Sequence, residues 1–399
     1  MILQHLHSAA RHARTFGGML LTSLVLVACG GGVESGGTGG NASASYVSGP
    51  ITGFGSVIVG GVRFDDTRAA VTDADGDTRS RDDLKLGMTI NVRGTPIAGD
   101  SSSAATSIVY GSAIVGPVSA INAGAASLTV LGQSVDVLAT TVFDESLSGA
   151  IAALSVGDVI EVYALLDTAT QRYNATRIER KAVGSGYQLR GMVVGLNTVT
   201  RTFMVGSARI SYAALSGDDV PAGLANGSIV RVVVRTTSVA GVLDALRLRI
   251  GVTPPRDFDD VRFEGLISAF TSSAVFSVDG VPVNAAQASF PDGTAGLAVG
   301  VRVALQGTVA NGVLNVSRVQ VKSQAEVEND GFELRGLVTG LNLTTQRFTL
   351  RGVSVDFSGP VEYRDGTQTD LQALASVEVR GRLSPDGTRL VATRITFKR

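Results

Sequence analysis

Histidine and cysteine are almost absent from this sequence, and their positions matter as much as their numbers. The three histidines, His5, His7 and His12, all precede Cys29, which is the only cysteine. The chain after Cys29 therefore has no imidazole and no thiol. This excludes histidine-based acid–base chemistry, Ser–His and Cys–His nucleophiles, and zinc or iron sites built on imidazole or thiolate. It also excludes intramolecular disulfides.

Tryptophan is absent, aromatic residues make up only 5% of the chain, and neither sign of charge dominates. Residues 1–28 contain Arg11 and Arg14 but no acidic residue. A chain that begins at Cys29 therefore keeps 32 of the 34 basic residues against 35 acidic ones, a net charge of −3. Nucleic-acid-binding domains are usually clearly basic. The charge therefore predicts that nucleic acid is not a partner.

The N-terminal residues have the pattern of an export signal. Arg11 and Arg14 precede an apolar run over residues 19–28, which is too short to span a bilayer as a permanent helix. The next four residues, Leu26 to Cys29, resemble the lipobox of bacterial lipoproteins. The resemblance implies a signal peptide over residues 1–28 and a lipid-anchored Cys29. The alternative is an ordinary secretory signal with a chance cysteine.

A Gly- and Ser-rich stretch follows the cysteine, and we expect residues 29–46 to form a flexible tether. The stretch has almost no apolar side chains, so burial cannot offset the entropy lost on ordering it. Gly31 lies two residues after Cys29, and no aspartate follows the cysteine directly. By resemblance to lipoprotein sorting, this favours the outer membrane. A multiply acylated cysteine would anchor the chain stably.

The rest of the chain repeats one pattern five times. An opening element of the type GPITGF begins at Gly49, Gly116, Gly191, Gly265 and Gly336. The spacings between these glycines are 67, 75, 74 and 71 residues. A period of this regularity indicates tandem copies of one structural unit.

Two further elements recur in each copy. A Leu-x-x-Gly motif begins at Leu84, Leu154, Leu224 and Leu297, and the fifth copy has Leu371 but replaces the glycine with Leu374. We therefore expect a different turn geometry there. Apolar residues then alternate with period two, which predicts a strand with one buried face. These residues are Ile90/Val92, Ile160/Val162, Val230/Val232, Val303/Leu305 and Val377/Val379. A closing strand ends in an apolar residue predicted to face inward: Ile108, Ile178, Leu248, Val319 and Ile395.

About five short strands in roughly 70 residues predict an all-β fold of five small OB-like barrels. The predicted modules are 47–112, 113–182, 187–252, 262–323 and 332–399, with linkers at 183–186, 253–261 and 324–331. A five-bladed propeller is the alternative, although its blades usually have four strands and a shorter repeat. Over residues 47–399 the chain resembles bacterial lipoproteins that carry the uncharacterised OB-like repeat of domain-of-unknown-function family five-six-six-six. The resemblance implies a fold and supplies no catalytic residues.

Closely spaced carboxylates at Asp73, Asp75 and Asp77 raise the question of a calcium site. The glycine follows the second aspartate, and no glutamate stands at the twelfth position, so the order does not fit an EF-hand loop. Asp-Gly between strand-like runs is a hairpin signal, and we interpret the stretch as a solvated turn. Weak calcium binding is the alternative. Composition also leaves open a hydrolase that uses two carboxylates across a cleft.

An arginine recurs in the closing strand at Arg177, Arg247, Arg318 and Arg394, next to an inward apolar residue, and is predicted to point outward. We expect cross-strand ion pairs Glu161–Arg177 and Glu378–Arg394, with Arg231 opposite Arg247 in the third copy. A ligand-binding role for these arginines is the alternative.

The recurrent aromatics Phe203, Phe276 and Phe348 share one strand position with Leu128 and Val57, which predicts core packing rather than base stacking.

The sequence therefore favours a non-enzymatic lipoprotein of the cell envelope. Its tandem modules would act as a spacer or as a multivalent array that binds protein or glycan weakly. It is expected to need no cofactor, to contact the membrane through acylated Cys29 and to carry no metal or catalytic residues. The alternative function is a carboxylate-based hydrolase or a calcium-dependent envelope factor.

Overall fold

The computed structural model describes residues 44–97, 103–251 and 257–398, so the predicted signal peptide, Cys29 and most of the predicted tether lie outside the described residues. The described part is all-β apart from one short helix, α1 (Gln324–Asp330), and several single 3-10 turns. None of its helices is long and apolar enough to cross a membrane. The predicted fold class is confirmed.

The strands fall into five groups, which we call modules 1 to 5. Module 1 has β1 (Ser45–Phe54), β2 (Val57–Val59), β3 (Val62–Asp65), β4 (Ala70–Asp73), β5 (Thr78–Arg79), β6 (Thr89–Gly94) and β7 (Ser103–Tyr110). Module 2 has β8 (Ile114–Asn122), β9 (Ser127–Val130), β10 (Gln133–Phe143), β11 (Val159–Asp167) and β12 (Arg172–Arg180). Module 3 has β13 (Tyr187–Asn197), β14 (Thr202–Val205), β15 (Ala208–Ser211), β16 (Ile229–Val239) and β17 (Val242–Ile250).

The last two modules repeat the plan. Module 4 has β18 (Phe258–Ser272), β19 (Val275–Val278), β20 (Val281–Asn284), β21 (Arg302–Ala310) and β22 (Val313–Val321). Module 5 has β23 (Phe332–Leu337), β24 (Thr339–Asn342), β25 (Arg347–Leu350), β26 (Val353–Asp356), β27 (Glu362–Arg364), β28 (Ser376–Leu383) and β29 (Leu390–Phe397). Three boundaries differ from the expectation: β1 begins two residues inside the predicted tether, β18 begins inside the predicted 253–261 linker, and residues 324–330 form α1 with a capping box from Ser323.

Five strands of each module form a closed barrel. When these barrel strands are numbered along the chain, their order around the barrel is 1-2-3-5-4-1. In module 2, β8 pairs with β9, β9 with β10, β10 with β12 in parallel, β12 with β11, and β11 again with β8. The parallel pair between the third and last strands recurs in all five modules. This is the OB arrangement, and closure leaves no open sheet edge within a module. The propeller alternative is excluded.

The barrel interiors hold the residues that the period-two pattern selects. All ten alternating apolar residues and all five closing residues are buried. Phe203, Phe276, Phe348, Leu128 and Val57 are buried at the shared strand position, so the prediction of core packing is confirmed. A fully buried side chain of this size stabilises the fold by roughly 1.5–3 kcal/mol.

The Leu-x-x-Gly turn has one geometry in all five modules, including the one that lacks glycine. Gly87, Gly157, Gly227 and Gly300 have φ between 80° and 97°, and Leu374 has φ 66°. The N–H of the residue at this position donates at 2.8–2.9 Å to a carbonyl of the first strand in modules 1 to 4, and to the carbonyl of Val338, between β23 and β24, in module 5. The expectation of a different turn at Leu374 is therefore wrong, because this shared hydrogen bond holds the backbone in place and leucine takes the left-handed conformation.

The fourth and fifth strands of each module pair as predicted, but their register differs by two residues from the predicted ion pairs. Glu161 lies opposite Glu179 and Tyr163 opposite Arg177, whereas Glu378 lies opposite Thr396. The carboxylates bind lysines instead: Lys181 Nζ is 2.6 Å from Glu161 Oε2, and Lys398 Nζ is 3.1 Å from Glu378 Oε2. Arg231 lies opposite Arg249, not Arg247. Both predicted Glu–Arg pairs are wrong, because the connecting turn and a β-bulge in every module set the register, and residue spacing does not reveal either.

Strands of different modules also pair. The first half of β1 runs parallel to β18 of module 4 over four residue pairs, and its end pairs with β23 of module 5. β8 of module 2 pairs with β13 of module 3. Gly53 permits the approach of β23, since a Cβ there would lie 2.3 Å from the carbonyl oxygen of Glu333. The described residues 44–97, 103–251 and 257–398 accordingly belong to one compact unit.

We expect Leu374→Gly to stabilise the protein. Leu374 is 68% exposed, so little packing is lost, whereas left-handed backbone costs a non-glycine residue about 1–2 kcal/mol. Subtracting the greater chain entropy of glycine leaves a gain of about 0.5–1 kcal/mol in the free energy of unfolding. Urea denaturation measures it. The matched control is Gly157→Ala, whose added Cβ meets nothing within 4 Å but must adopt φ 97°. Gly157→Ala should lower the free energy of unfolding. If Leu374→Gly proved less stable than the parent, the backbone at Leu374 would not be strained.

Candidate functional site

The aspartates singled out by the sequence lie on a hairpin turn between β4 and β5. Asp73 accepts hydrogen bonds from the N–H groups of Asp75 and Asp77 and from Arg79. Burial opposes ionisation of Asp73, but the bonds from Arg79 and the backbone outweigh it and lower the pKa of this carboxyl. Asp77 is largely exposed. The predicted hairpin turn is present.

Asp75 has a different role from its neighbours, because it reaches module 3. Its two carboxylate oxygens lie 3.2 Å from Arg231 Nη2 and 2.8 Å from Arg247 Nη1. Asp73 and Asp77 both contact Arg79, whereas Asp75 faces away from them toward module 3, so the three carboxylates do not converge on one centre. Within residues 44–97, 103–251 and 257–398, no three carboxylate, imidazole or thiol groups are placed to hold a metal ion.

The recurring arginines of the closing strands do not share one environment. Arg318 is exposed, Arg247 binds Asp75, and Arg394 Nε lies 2.7 Å from Glu362 Oε2. Arg177 is buried, because module 1 covers it and its Nη1 donates to the Leu86 carbonyl at 3.2 Å. The prediction that this arginine points to solvent is wrong for module 2. Packing between modules therefore changes the role of equivalent positions.

A cavity with several charged side chains in its wall lies where modules 1 to 4 meet, and we call it the junction cavity. Its volume is about 340 Å³. Its wall includes residues of four modules: Tyr46, Asn91, Arg93 and Val109 of module 1, Leu165 of module 2, Arg190, Arg231, Arg249 and Ile250 of module 3, and Glu264 and Asp279 of module 4. The β1–β18 and β8–β13 pairings bring these strands together. No single module contains the site.

Positive charge predominates in the junction cavity. Arg231 is paired with Asp75, and Glu264 is paired with Arg302, whose Nη2 lies 2.6 Å from Glu264 Oε1. The other three arginines, Arg93, Arg190 and Arg249, have no carboxylate oxygen within 4 Å among the described residues. Arg93 and Arg249 are exposed and lie at the rim, whereas Arg190 is half-buried.

Tyr46 connects the cavity to the hydrophobic core of module 4. Its ring is buried against Phe258, with ring centroids 5.6 Å apart, and its hydroxyl donates to Asn91 Oδ1 at 2.9 Å. Burial raises the pKa of the Tyr46 hydroxyl, while Arg93 and Arg190 act on it in the opposite direction. Both arginines line the same cavity as Tyr46.

Of the carboxyl groups that line the cavity, Asp279 is the one whose burial is least offset by hydrogen bonds or ion pairs. It occupies the first position of the Asp-Gly turn between β19 and β20, with φ 50°. Its Oδ1 is shielded from solvent and has no hydrogen-bond partner. Burial raises the pKa of Asp279, although Arg190 and Arg302 lower it in part. The equivalent turn residues in the other modules are Gly60, Leu131, Gly206 and Arg351, so only module 4 places a carboxyl here.

The residues of the junction cavity were not identified from the sequence. Arg93, Arg190, Arg249 and Asp279 lie in three modules and form no motif along the chain. The one available signal was the departure of Asp279 from the residues at the same turn position in other copies. That signal shows that a residue is unusual, but not what it faces.

The family comparison bears on three of the modules. Residues 115–179, 264–320 and 335–396 match a domain of unknown function, DUF5666. Three segments of this chain are similar to DUF5666. They lie in modules 2, 4 and 5, which supports the resemblance drawn from the repeats. Comparison with curated proteins finds no match.

We expect Asp279→Asn to remove one component of the pH dependence of stability. The pKa of Asp279 is higher in the folded than in the unfolded chain, so folding favours the protonated form. The stability from this group is complete below the unfolded pKa, about 3.9, and is lost as pH rises through the folded pKa. Asparagine tolerates the left-handed backbone and carries no charge.

The measurement is the free energy of unfolding in urea between pH 4 and pH 8. The parent should lose stability with rising pH relative to Asp279→Asn, and the control Asp259→Asn, at an exposed position of β18, should follow the parent. Parallel curves for the parent and Asp279→Asn would show that the carboxyl has no raised pKa.

Proposed function

We propose that this chain is a non-enzymatic lipoprotein of the cell envelope that binds a small polar ligand in the junction cavity. The observation that carries the proposal is that four modules together enclose a cavity containing a shielded and unpartnered carboxyl oxygen, Asp279 Oδ1. Buried polar groups without partners are rare in folded proteins and are typical of sites that hold water, ions or ligands. A volume of about 340 Å³ is within the range of small-molecule pockets.

The pairing between modules favours one binding body over a flexible spacer. A spacer or a multivalent array would use modules that act independently. Here β1 forms ladders with modules 4 and 5, and Thr168 of module 2 donates to the Ser268 carbonyl of module 4 at 2.8 Å. Protein or glycan partners would therefore meet one combined surface.

Absence of the usual nucleophiles supports a binding role. The chain after Cys29 has no histidine and no further cysteine. Ser–His and Cys–His hydrolysis therefore has no base or thiol available in this part of the chain.

Filling the cavity tests the binding role. Ser107→Phe adds a ring at a position of β7 that lines the cavity, and Thr393→Phe adds the same ring at an exposed position of β29 in module 5. In a thermal-shift screen of small polar compounds, ligands that raise the melting temperature of the parent should raise that of Thr393→Phe but not that of Ser107→Phe. A ligand at 100 times its Kd stabilises the folded state by about 2.7 kcal/mol. Compounds that stabilise all three equally would contradict the cavity as the site.

The proposed lipid anchor has its own test. Cells expressing the parent and given a labelled fatty acid should label the protein and retain it in the membrane fraction. Cys29→Ala should lose the label, because no other thiol is present in the chain. The matched control is Ser35→Ala in the predicted tether, which should behave as the parent. Labelling of Cys29→Ala would disprove attachment at this cysteine.

The junction cavity also favours a second candidate, a carboxylate-based hydrolase. Glu264 and Asp279 both line it; Glu264 is paired with Arg302, while burial raises the pKa of Asp279. Glycosidases use two carboxyl groups across a cleft, one as the acid and the other as the base or nucleophile. Release of nitrophenol from nitrophenyl glycosides by the parent, and its loss in Asp279→Asn, would favour this candidate.

A further inference from the structure

We propose that the ligand of the junction cavity is an organic anion, with a phosphate or carboxylate head group and a small apolar body. This inference rests on the proposed binding function and specifies its chemistry. It depends on the arginines that surround the cavity, on the apolar part of its wall and on its size. The chain as a whole has a slightly acidic balance, so local rather than net charge is the relevant quantity.

The arginines supply charge that the described residues do not neutralise. Arg93, Arg190 and Arg249 belong to three different strands and converge on one cavity without a carboxylate oxygen within 4 Å. Arg93 lies over the Phe258 ring at 5.9 Å and Arg249 only approaches the Ala74 carbonyl at 3.5 Å, so neither has a strong competing partner. Guanidinium groups bind planar carboxylates and phosphates through paired hydrogen bonds.

The different depths of the three arginines in the cavity indicate where the head group of the ligand would bind. Arg93 and Arg249 at the rim would attract an entering anion, and half-buried Arg190 would bind it inside. Arg190 is also the largest charge acting on Asp279. In its neutral form Asp279 adds a donor without adding negative charge, so it does not oppose an anion.

The apolar wall and the volume exclude a bare inorganic ion as the best ligand. Val109, Leu165 and Ile250, from three modules, line the same cavity as the arginines. A phosphate ion would leave most of about 340 Å³ unfilled and would make no apolar contact with these side chains. A body of about one aromatic ring would contact them while the head group reached Arg190.

Isothermal titration calorimetry with the full-length chain tests the inference with four probes. Phenyl phosphate and benzoate carry the two head groups on one body, inorganic phosphate lacks the body, and phenyl glucoside has the body without the charge. We expect at least one of the two aromatic anions to bind at least tenfold more tightly than inorganic phosphate and phenyl glucoside. The better of the two identifies the head group.

Variants locate the anion. Arg190→Gln and Arg93→Gln should each weaken the binding of that anion by roughly tenfold or more, which is the usual effect of losing a hydrogen bond to a charged group. Asp279→Asn keeps a hydrogen-bond donor and carries no charge, so it should bind the anion at least as tightly as the parent does. The matched control is Arg209→Gln, at an exposed position of β15 in module 3 and outside the cavity, which should bind as the parent does.

The outcomes separate this inference from the function on which it rests. Equal binding of phenyl glucoside and the aromatic anions, or equal affinity in Arg190→Gln, Arg93→Gln and the parent, would overturn the anion inference while leaving a binding cavity in place. No binding of any of the four probes would overturn it as well. The proposed function is contradicted only if every ligand found in the thermal-shift screen raises the melting temperature of Ser107→Phe as much as that of the parent.

Discussion

Strand β1 is the element on which the arrangement of the modules depends. Its first half is hydrogen-bonded on one side to β6 of its own barrel and on the other to β18 of module 4, and its end reaches β23 of module 5. A backbone ladder is specific in register, so these pairings fix the orientation of one barrel against the next more precisely than side-chain packing would. Tyr46, buried among module 4 residues, is a direct consequence.

A repeat protein built in this way can carry a site that no repeat contains. Each module follows the same topology and the same left-handed turn after its Leu-x-x element. Residues at turns differ between copies, as at Asp279 and its equivalents Gly60, Leu131, Gly206 and Arg351. Where copies pack together, such variable positions become the walls of a cavity. Arg177 shows the same effect, since a position that is exposed in module 4 is buried in module 2.

Much of each barrel could be predicted from the sequence, because period-two alternation reports directly which face of a strand is buried. The five barrel strands of each module, the closing residues and the core aromatics follow from it, whereas the additional short strands β4, β5 and β27 do not. The Glu–Arg pairs could not be predicted, because a β-bulge and a turn set the register, and both depend on backbone geometry that spacing does not encode. Leu374 was also mispredicted, for a different reason. The loss of glycine suggested a different turn, but the hydrogen bond from Leu374 N–H to the Val338 carbonyl keeps the turn that the other modules have.

The sequence by itself determined the five copies, their all-β character and the chemistry that the chain after Cys29 lacks, because repeats, alternation and composition are local properties. It did not determine that β1 pairs with β18 and β23, or that Arg93, Arg190, Arg249 and Asp279 surround one cavity. Those contacts join residues of different modules across long stretches of chain. Only the tertiary structure decides them, because they depend on how closed barrels pack against one another rather than on the pattern inside any one of them.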